Sequence, residues 1–375
     1  MKILVLTSIH PPYDVRIYHK QFVALKEKYP LAKIILPNQV EVAKTDGDYI
    51  SFRGFSHFGS RICNNFLLLK KALQYKPNLI IFHDPDLLPF MLIFRMIFAA
   101  PVVYDIHEDY PGYFKQNEKI PPVLRDFTAW FYRLLEKAAK HRLDHLIYAD
   151  HLTAWHYNKP GKKISVIYNF PLLLPVSSSG RKNIDVIFQG SMHATIHSRL
   201  LDIARQLDQI ISFPLIFTVI ARKPDEQIEA DIKRTAAELK NVRMHFEKNL
   251  SLMQVQEYIS RSKIGITPWP FTEKFSKNIA TKIFEYLNHG IPQVASNTTA
   301  NYEFLQQTRS GFVVDEANYA GDFAARILEI LQDYEHYAQL AAADREKFLK
   351  HWNWDHSEKP KFMAIIDELL AGEKR

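Results

Sequence analysis

Asn278-Ile279-Ala280-Thr281-Lys282-Ile283-Phe284-Glu285-Tyr286-Leu287-Asn288-His289-Gly290-Ile291-Pro292-Gln293-Val294-Ala295-Ser296 reads as one helix followed by one strand. Ile279, Ile283, Phe284 and Leu287 recur at helical spacing and predict a core-facing stripe. Gly290 suits a left-handed cap, and Pro292 stands just beyond it. Gln293 to Ser296 then reads as a short buried strand. Lys282 and Glu285, three apart, share one helix face. The unpaired backbone amides at the helix start, expected near Asn278 to Thr281, suit a phosphate. A carboxylate one turn deeper suits the two hydroxyls of a ribose. The plainer reading of the same residues is an amphipathic helix with a solvated Lys–Glu pair.

Upstream, the chain alternates apolar runs with helical stretches. Lys2–Ile9, Ala32–Leu36, Leu79–Phe82, Val102–Ile106, His145–Ala149 and Ile164–Tyr168 read as strands. Tyr13–Glu27, Arg61–Tyr75 and Pro122–His141 read as helices. The alternation restarts at Asp185–Gln189 and continues through Leu215–Ala221, Val242–Phe246, Ile264–Thr267 and Ser310–Val314. This pattern predicts α/β architecture with two doubly wound parallel sheets. The stretch from Leu172 to Asn183, with Pro175 and Ser177 to Gly180, reads as the linker. The expected domains are therefore 1–172 and 173–354, with a tail helix within 355–375.

At 375 residues and 47% hydrophobic composition, the chain is large enough for two cores. The single cysteine, Cys63, excludes an internal disulfide and fits a reducing compartment. The opening Met1 to Pro12 lacks the pattern of a signal peptide, and Leu87 to Ala100, broken by Pro89 and Arg95, is too short to span a bilayer. Residues 1–170 hold 23 Lys and Arg against 15 Asp and Glu, so they carry a net +8 of the chain's +7. A basic half with aromatic-rich helices points to nucleic acid or an anionic membrane. No helix-turn-helix, zinc-finger or RNA-binding signature occurs, so nucleic acid is not the expected partner.

In parallel sheets, ligands sit beyond the carboxyl ends of strands. Two histidine loops lie at such ends: His83-Asp84-Pro85-Asp86 and His107-Glu108-Asp109. His107 has the chemistry of an acid, a base or a hydrogen-bond donor, and a loop histidine held by a carboxylate is the plainer alternative. The Asp84–Asp86 pair is a weak metal motif, because Pro85 restricts its neighbour and two carboxylates alone hold an ion poorly. Asp14 and Arg16, in the first loop, either pair with each other or are solvated. In the second half, Gly190-Ser191 follows a strand, and a glycine there lets backbone approach a phosphate closely.

Lys282 to Ser296 resembles the donor-binding signature of GT-B glycosyltransferases of the retaining family-4 type. Thr7 to Lys20 and Tyr104 to Pro111 are similar to the bacterial members as well. The resemblance implies two Rossmann-like domains facing across a cleft, the tail helix crossing back to the first. It implies a nucleotide-sugar donor on the second domain, held by Gly190, Ser191, Arg199, Asn278, Lys282 and Glu285. Arg199 and Lys282 would grip the diphosphate, and Glu285 would bind ribose. The acceptor side would include His83, Asp84, Asp14 and Arg16, with His107 and Glu108 joining Lys282 as catalytic residues. In that family the signature helix carries two glutamates eight positions apart; here Lys277 occupies the first, with Asn278 a stand-in. The usual glycine pair of the first loop is also missing, and Arg222-Lys223 replaces a glycine-rich turn. The resemblance further implies retention of anomeric configuration, no metal or other cofactor, and an acceptor that is lipid-linked or another saccharide at the inner membrane face. A non-catalytic partner subunit and a nucleotide-sugar epimerase are the alternatives.

Overall fold

The computed structural model describes all residues except 56–58, 118–119, 158–162, 174–180, 193, 223, 225 and 373–375. The core of the expected linker, 174–180, thus lies outside the described residues. Contacts divide the chain into two compact units, Met1–Asn169 with Trp354–Arg375, and Phe170–Asn353.

The first unit holds β1 (Ile3–Leu6), β2 (Lys33–Pro37), β3 (Tyr49–Phe52), β4 (Leu79–Phe82), β5 (Val102–Ile106), β6 (His145–Tyr148) and β7 (Ile164–Val166). They form one parallel sheet in the order β3-β2-β1-β4-β5-β6-β7. The middle strands are buried along their length, which is why they read as unbroken apolar runs rather than as alternating ones. Leu4, Ile80, Phe82 and Tyr104 lie at the centre of the core, and the Phe82 and Tyr104 rings stack at 4.4 Å. The order reverses between β1 and β4, so the loops after these strands open at a topological switch point. The tail contributes a π-helical turn, Trp354–Glu358, and the helix Lys359–Gly372. Asp367 of that helix accepts from Lys28 and Tyr29, while Glu358 accepts from the Tyr168 amide at 2.8 Å.

The second unit holds β8 (Ile184–Ser191), β9 (Leu215–Arg222), β10 (Val242–Lys248), β11 (Ser262–Thr267), β12 (Gln293–Ser296) and β13 (Gly311–Val314). Their order is β10-β9-β8-β11-β12-β13, again all parallel. Here the reversal falls between β8 and β11. Phe188, Phe217, Ile264 and Ile266 are fully buried in its core.

The signature helix begins later than its apolar spacing predicts. Residues Thr281–Asn288 are helical, whereas Asn278 and Ala280 are extended (ψ 136° and 105°) after a separate short helix, Glu273–Lys277. The free amides therefore start at Thr281. Gly290 does adopt the left-handed region, with φ +58°. Several short elements were not apparent from periodicity: β3, Val40–Thr45, Tyr110–Gln116 and Thr299–Leu305. Leu88–Ile97 is an apolar helix with Pro89 in its first turn, where a missing amide costs nothing. Among the described residues no helix is long and apolar enough to cross a membrane.

Candidate active site

In the first unit the centre of the site is a residue the sequence reading passed over. Asp105 lies inside β5, fully buried between Tyr104 and Ile106. Arg16 grips it with two hydrogen bonds, Nε to Oδ2 at 2.9 Å and Nη2 to Oδ1 at 2.6 Å. Gln21 Nε2 donates to Oδ2 at 2.7 Å. Two imidazoles meet the same oxygen, His83 through Nδ1 at 3.1 Å and His107 through Nε2 at 2.9 Å. Burial alone would raise the Asp105 carboxyl, but the charges of Arg16 and His107 hold it well below the usual range. Burial dominates at His107 and brings its imidazole down to about 4 against the upward pull of Asp105. His107 is thus neutral in the physiological range, and its other nitrogen, Nδ1, is turned away from Asp105.

Arg16 and Asp14 do not order the loop by pairing with each other. Asp14 caps the helical turn Val15–Phe22, accepting from the Arg16 and Ile17 amides at 2.9 and 3.1 Å. The Arg16 guanidinium reaches past it to Asp105 and to the Ile167 carbonyl. A buried carboxylate next to a buried guanidinium satisfies both charges, which explains why neither is solvated. Glu108 is half-buried and takes no part in the Asp105 network. Asp84, fully buried, accepts from Thr7 Oγ1 at 2.8 Å and from the Ser8 amide at 2.6 Å. It therefore ties the loop after β1 to the loop after β4.

His83, Asp105 and His107 present ligand atoms all within 4.8 Å of one another, a spacing that a metal ion accepts. The Arg16 guanidinium, doubly bonded to the same carboxylate, already neutralises it and opposes a second cation there.

In the second unit the site gathers at the end of β8. Gly190 has φ +142°, a conformation that favours glycine. A Cβ at this position would come within 2.8 Å of Lys282 Nζ, so glycine makes room for the lysine. Lys282 is 7% exposed, with Nζ 4.5 Å from the centre of the Phe188 ring and 5.6 Å from that of Trp269. Burial lowers its ammonium to about 8, although Glu285 pulls the other way. The Gln189 side-chain amide donates to Glu285 Oε2, fixing the carboxylate one turn along from Lys282. Ser191 closes the strand and is exposed. Asn278 has a buried side-chain oxygen with no partner among the described residues.

Arg199 lies in the helix Ala194–Ile210. Its guanidinium stacks on Tyr319 at 3.7 Å and donates to Glu316 at 2.7 Å. Its Nε and Nη2 are buried without a hydrogen-bond partner among the described residues. Sequence reasoning missed Asp105, Gln21 and Gln189. A charged residue inside an otherwise apolar strand was the available signal for Asp105; nothing local marks the others.

The fold and these two switch-point sites define a class, the GT-B architecture. The chain is similar to sucrose-phosphate synthase from Thermosynechococcus elongatus, with 14% identity, a TM-score of 0.74 and 99% of each chain covered. It is also similar to Anabaena HepE in complex with UDP, at 14% identity and TM-score 0.69, over 99% of this chain and 100% of that one. A glycosyltransferase from Rickettsia africae gives 15% identity and TM-score 0.70 over 98% of each. No curated protein sequence matches the chain. More particularly, residues 183–333, all within the second unit, match the family model for group 1 glycosyl transferases.

Proposed function

We propose that the protein transfers a sugar from a nucleotide-sugar donor to a hydroxyl of a lipid-linked or other saccharide acceptor, with retention of configuration, in the synthesis of cell-surface polysaccharide or glycolipid. The observation that carries this reading is the trio at the end of β8: Gly190 open to a phosphate, Lys282 buried beside it, and Glu285 fixed by Gln189. A cation in a dry site stabilises the charge that grows on a departing diphosphate better than one in water does. Glu285 suits the ribose hydroxyls, and Asn278, with its unpaired oxygen, suits the transferred sugar in place of the glutamate that Lys277 replaces. The two unpaired donors of Arg199 suit further phosphate oxygens. Structurally similar HepE was solved with UDP and with UDP-glucose, which makes uridine diphosphate sugars the first donors to try.

The first unit takes the acceptor, with His107, His83 and Asp84 at its switch point and Glu108 alongside. No metal is needed in this scheme, because Lys282 and Arg199 supply the positive charge that a divalent ion would bring. The enzyme works at the inner face of the cytoplasmic membrane, where the basic first unit meets anionic lipid. A thermal-shift screen of nucleotide sugars in the presence of EDTA tests the donor side. Stabilisation by one nucleotide family supports the reading, and no response to any of them contradicts it. A partner subunit without catalysis would bind a nucleotide sugar yet never release nucleotide diphosphate.

A further inference from the structure

The loop after β11 leads from the switch point of the second unit toward the signature helix. It runs Thr267-Pro268-Trp269-Pro270-Phe271-Thr272, and its tryptophan takes no part in the grip on the nucleotide. Prolines on both sides of Trp269 restrict the backbone there, and both are buried. The Trp269 amide donates to the Thr267 carbonyl and the Thr272 amide to the Pro270 carbonyl, each at 3.0 Å. Thr272 then caps the short helix Glu273–Lys277, accepting from the Phe275 amide. The Phe275 ring comes back against Trp269, with 4.9 Å between centres and a tilt of 53°. The half-buried indole also packs on the core of the second unit, so it is held in place before anything binds. Among the described residues its ring N–H has no hydrogen-bond partner.

Trp269 lies at one end of a row of groups. Lys282 Nζ is 5.6 Å from the centre of its ring. Lys282 stands in the first turn of the helix Thr281–Asn288, and Glu285 follows one turn further on. Asn278, with its buried and unpartnered side-chain oxygen, comes straight after the short helix that carries Phe275. With Lys282 on the diphosphate and Glu285 on the ribose, the nucleotide extends toward Glu285. The group on the far side of the diphosphate then lies toward Trp269 and Asn278, and in a nucleotide sugar that group is the sugar.

We propose that Trp269 is the platform on which the transferred sugar stacks, with a C–H face of the pyranose on the indole and Asn278 at a hydroxyl on its edge; this rests on the reading of Lys282 and Glu285 as the nucleotide grip. The face of an indole is electron-rich, and the C–H groups of a pyranose face carry the complementary partial charge. A ring already fixed by Phe275 and two prolines loses little freedom when a sugar settles on it. Stacking there also sets the anomeric carbon–oxygen bond beside the Lys282 ammonium, where the leaving charge develops. The indole N–H adds a donor for a sugar oxygen.

Calorimetric titration of UDP, UDP-glucose and UDP-galactose on wild type, Trp269→Ala and Trp269→Phe tests the platform. In wild type at least one of the two sugar nucleotides should bind tighter than UDP. Trp269→Ala should weaken that sugar nucleotide by roughly 3- to 10-fold, the range of one aromatic contact, while UDP stays within about twofold. Trp269→Phe keeps a ring and should restore most of the difference. Should the alanine variant not fold, Trp269→Leu supplies bulk without a π face and gives the same comparison. Equal losses for UDP and its sugars would put Trp269 on the phosphates or the base and overturn the platform. So would an unchanged sugar nucleotide affinity in Trp269→Ala, or a wild type that binds neither sugar nucleotide tighter than UDP; in these cases the nucleotide grip itself stands. A wild type that binds no UDP overturns that grip, and the platform with it.

Discussion

Glu285, Lys282 and Asp105 carry most of the account, and each makes a separate prediction. Removing the Glu285 carboxylate (Glu285→Ala) should weaken UDP binding by roughly 1.5–3 kcal/mol, the range for hydrogen bonds to a charged group. Calorimetric titration measures this, and an unchanged affinity would return Glu285 to an ordinary helix face. Lys282 loses its proton as pH rises through about 8, and with it the charge that faces the diphosphate. The kcat/KM profile should therefore fall on its alkaline side near pH 8, an edge that Lys282→Ala removes along with most of the turnover. An alkaline limb that survives in Lys282→Ala belongs to another group. Asp105→Asn should leave the Arg16 guanidinium buried without its counter-charge, costing about 3–5 kcal/mol in chemical denaturation. A loss under about 1 kcal/mol would mean that Arg16 reaches solvent. Of these three, Glu285 and Lys282 were legible because both lie on one short helix, where spacing dictates the shared face. Asp105 was not, since its partners come from two distant segments, Arg16 and Gln21 from the helical turn Val15–Phe22 and His83 from the loop after β4, that only the sheet order brings beside it.

At the scale of elements, three helices of the first unit expose more apolar surface than packing requires. Pro122–Arg142 presents Val123, 86% exposed, with Phe127, Trp130 and Phe131, and packs against Leu88–Ile97, which exposes Met96 and Ile97. Ser60–Tyr75 adds Ile62 and Phe66. Arg125, Arg133, Lys137 and Lys140 lie along the same long helix. Basic residues near anionic lipid contribute about 1 kcal/mol each, and aromatic rings add anchoring that salt does not screen. The protein should sediment with phosphatidylglycerol vesicles, little with neutral ones, and only partly detach at high salt. Replacing those four basic residues by Glu should release it without changing nucleotide affinity. Failure of the unaltered protein to bind anionic vesicles at low salt would assign this face to a soluble anionic acceptor. The helices Ser60–Tyr75 and Pro122–Arg142 were legible from composition. Leu88–Ile97 was visible only as a run too short to span a bilayer, because uniform apolarity does not tell a buried face from an exposed one.

For the whole molecule, the two parallel sheets were legible because buried strands flanked by helices leave apolar runs at regular intervals. Edge strand β3 and the short helices Tyr110–Gln116 and Thr299–Leu305 were missed, since elements of one or two turns leave too few residues to show a period. The late start of the signature helix escaped for a similar reason: Ile279 fits the apolar spacing, yet Asn278 and Ala280 are extended. What the two units do together is a matter of chemistry rather than of fold, and one assay addresses it. Purified protein is incubated with UDP-glucose in the presence of EDTA, with and without glycolipid-bearing phosphatidylglycerol vesicles, and UDP and glycosylated lipid are quantified. The account predicts UDP release that depends on the vesicles, a glycosylated product in equal amount, and loss of both in Lys282→Ala. UDP bound but never released, with no glycosylated lipid formed, would contradict it.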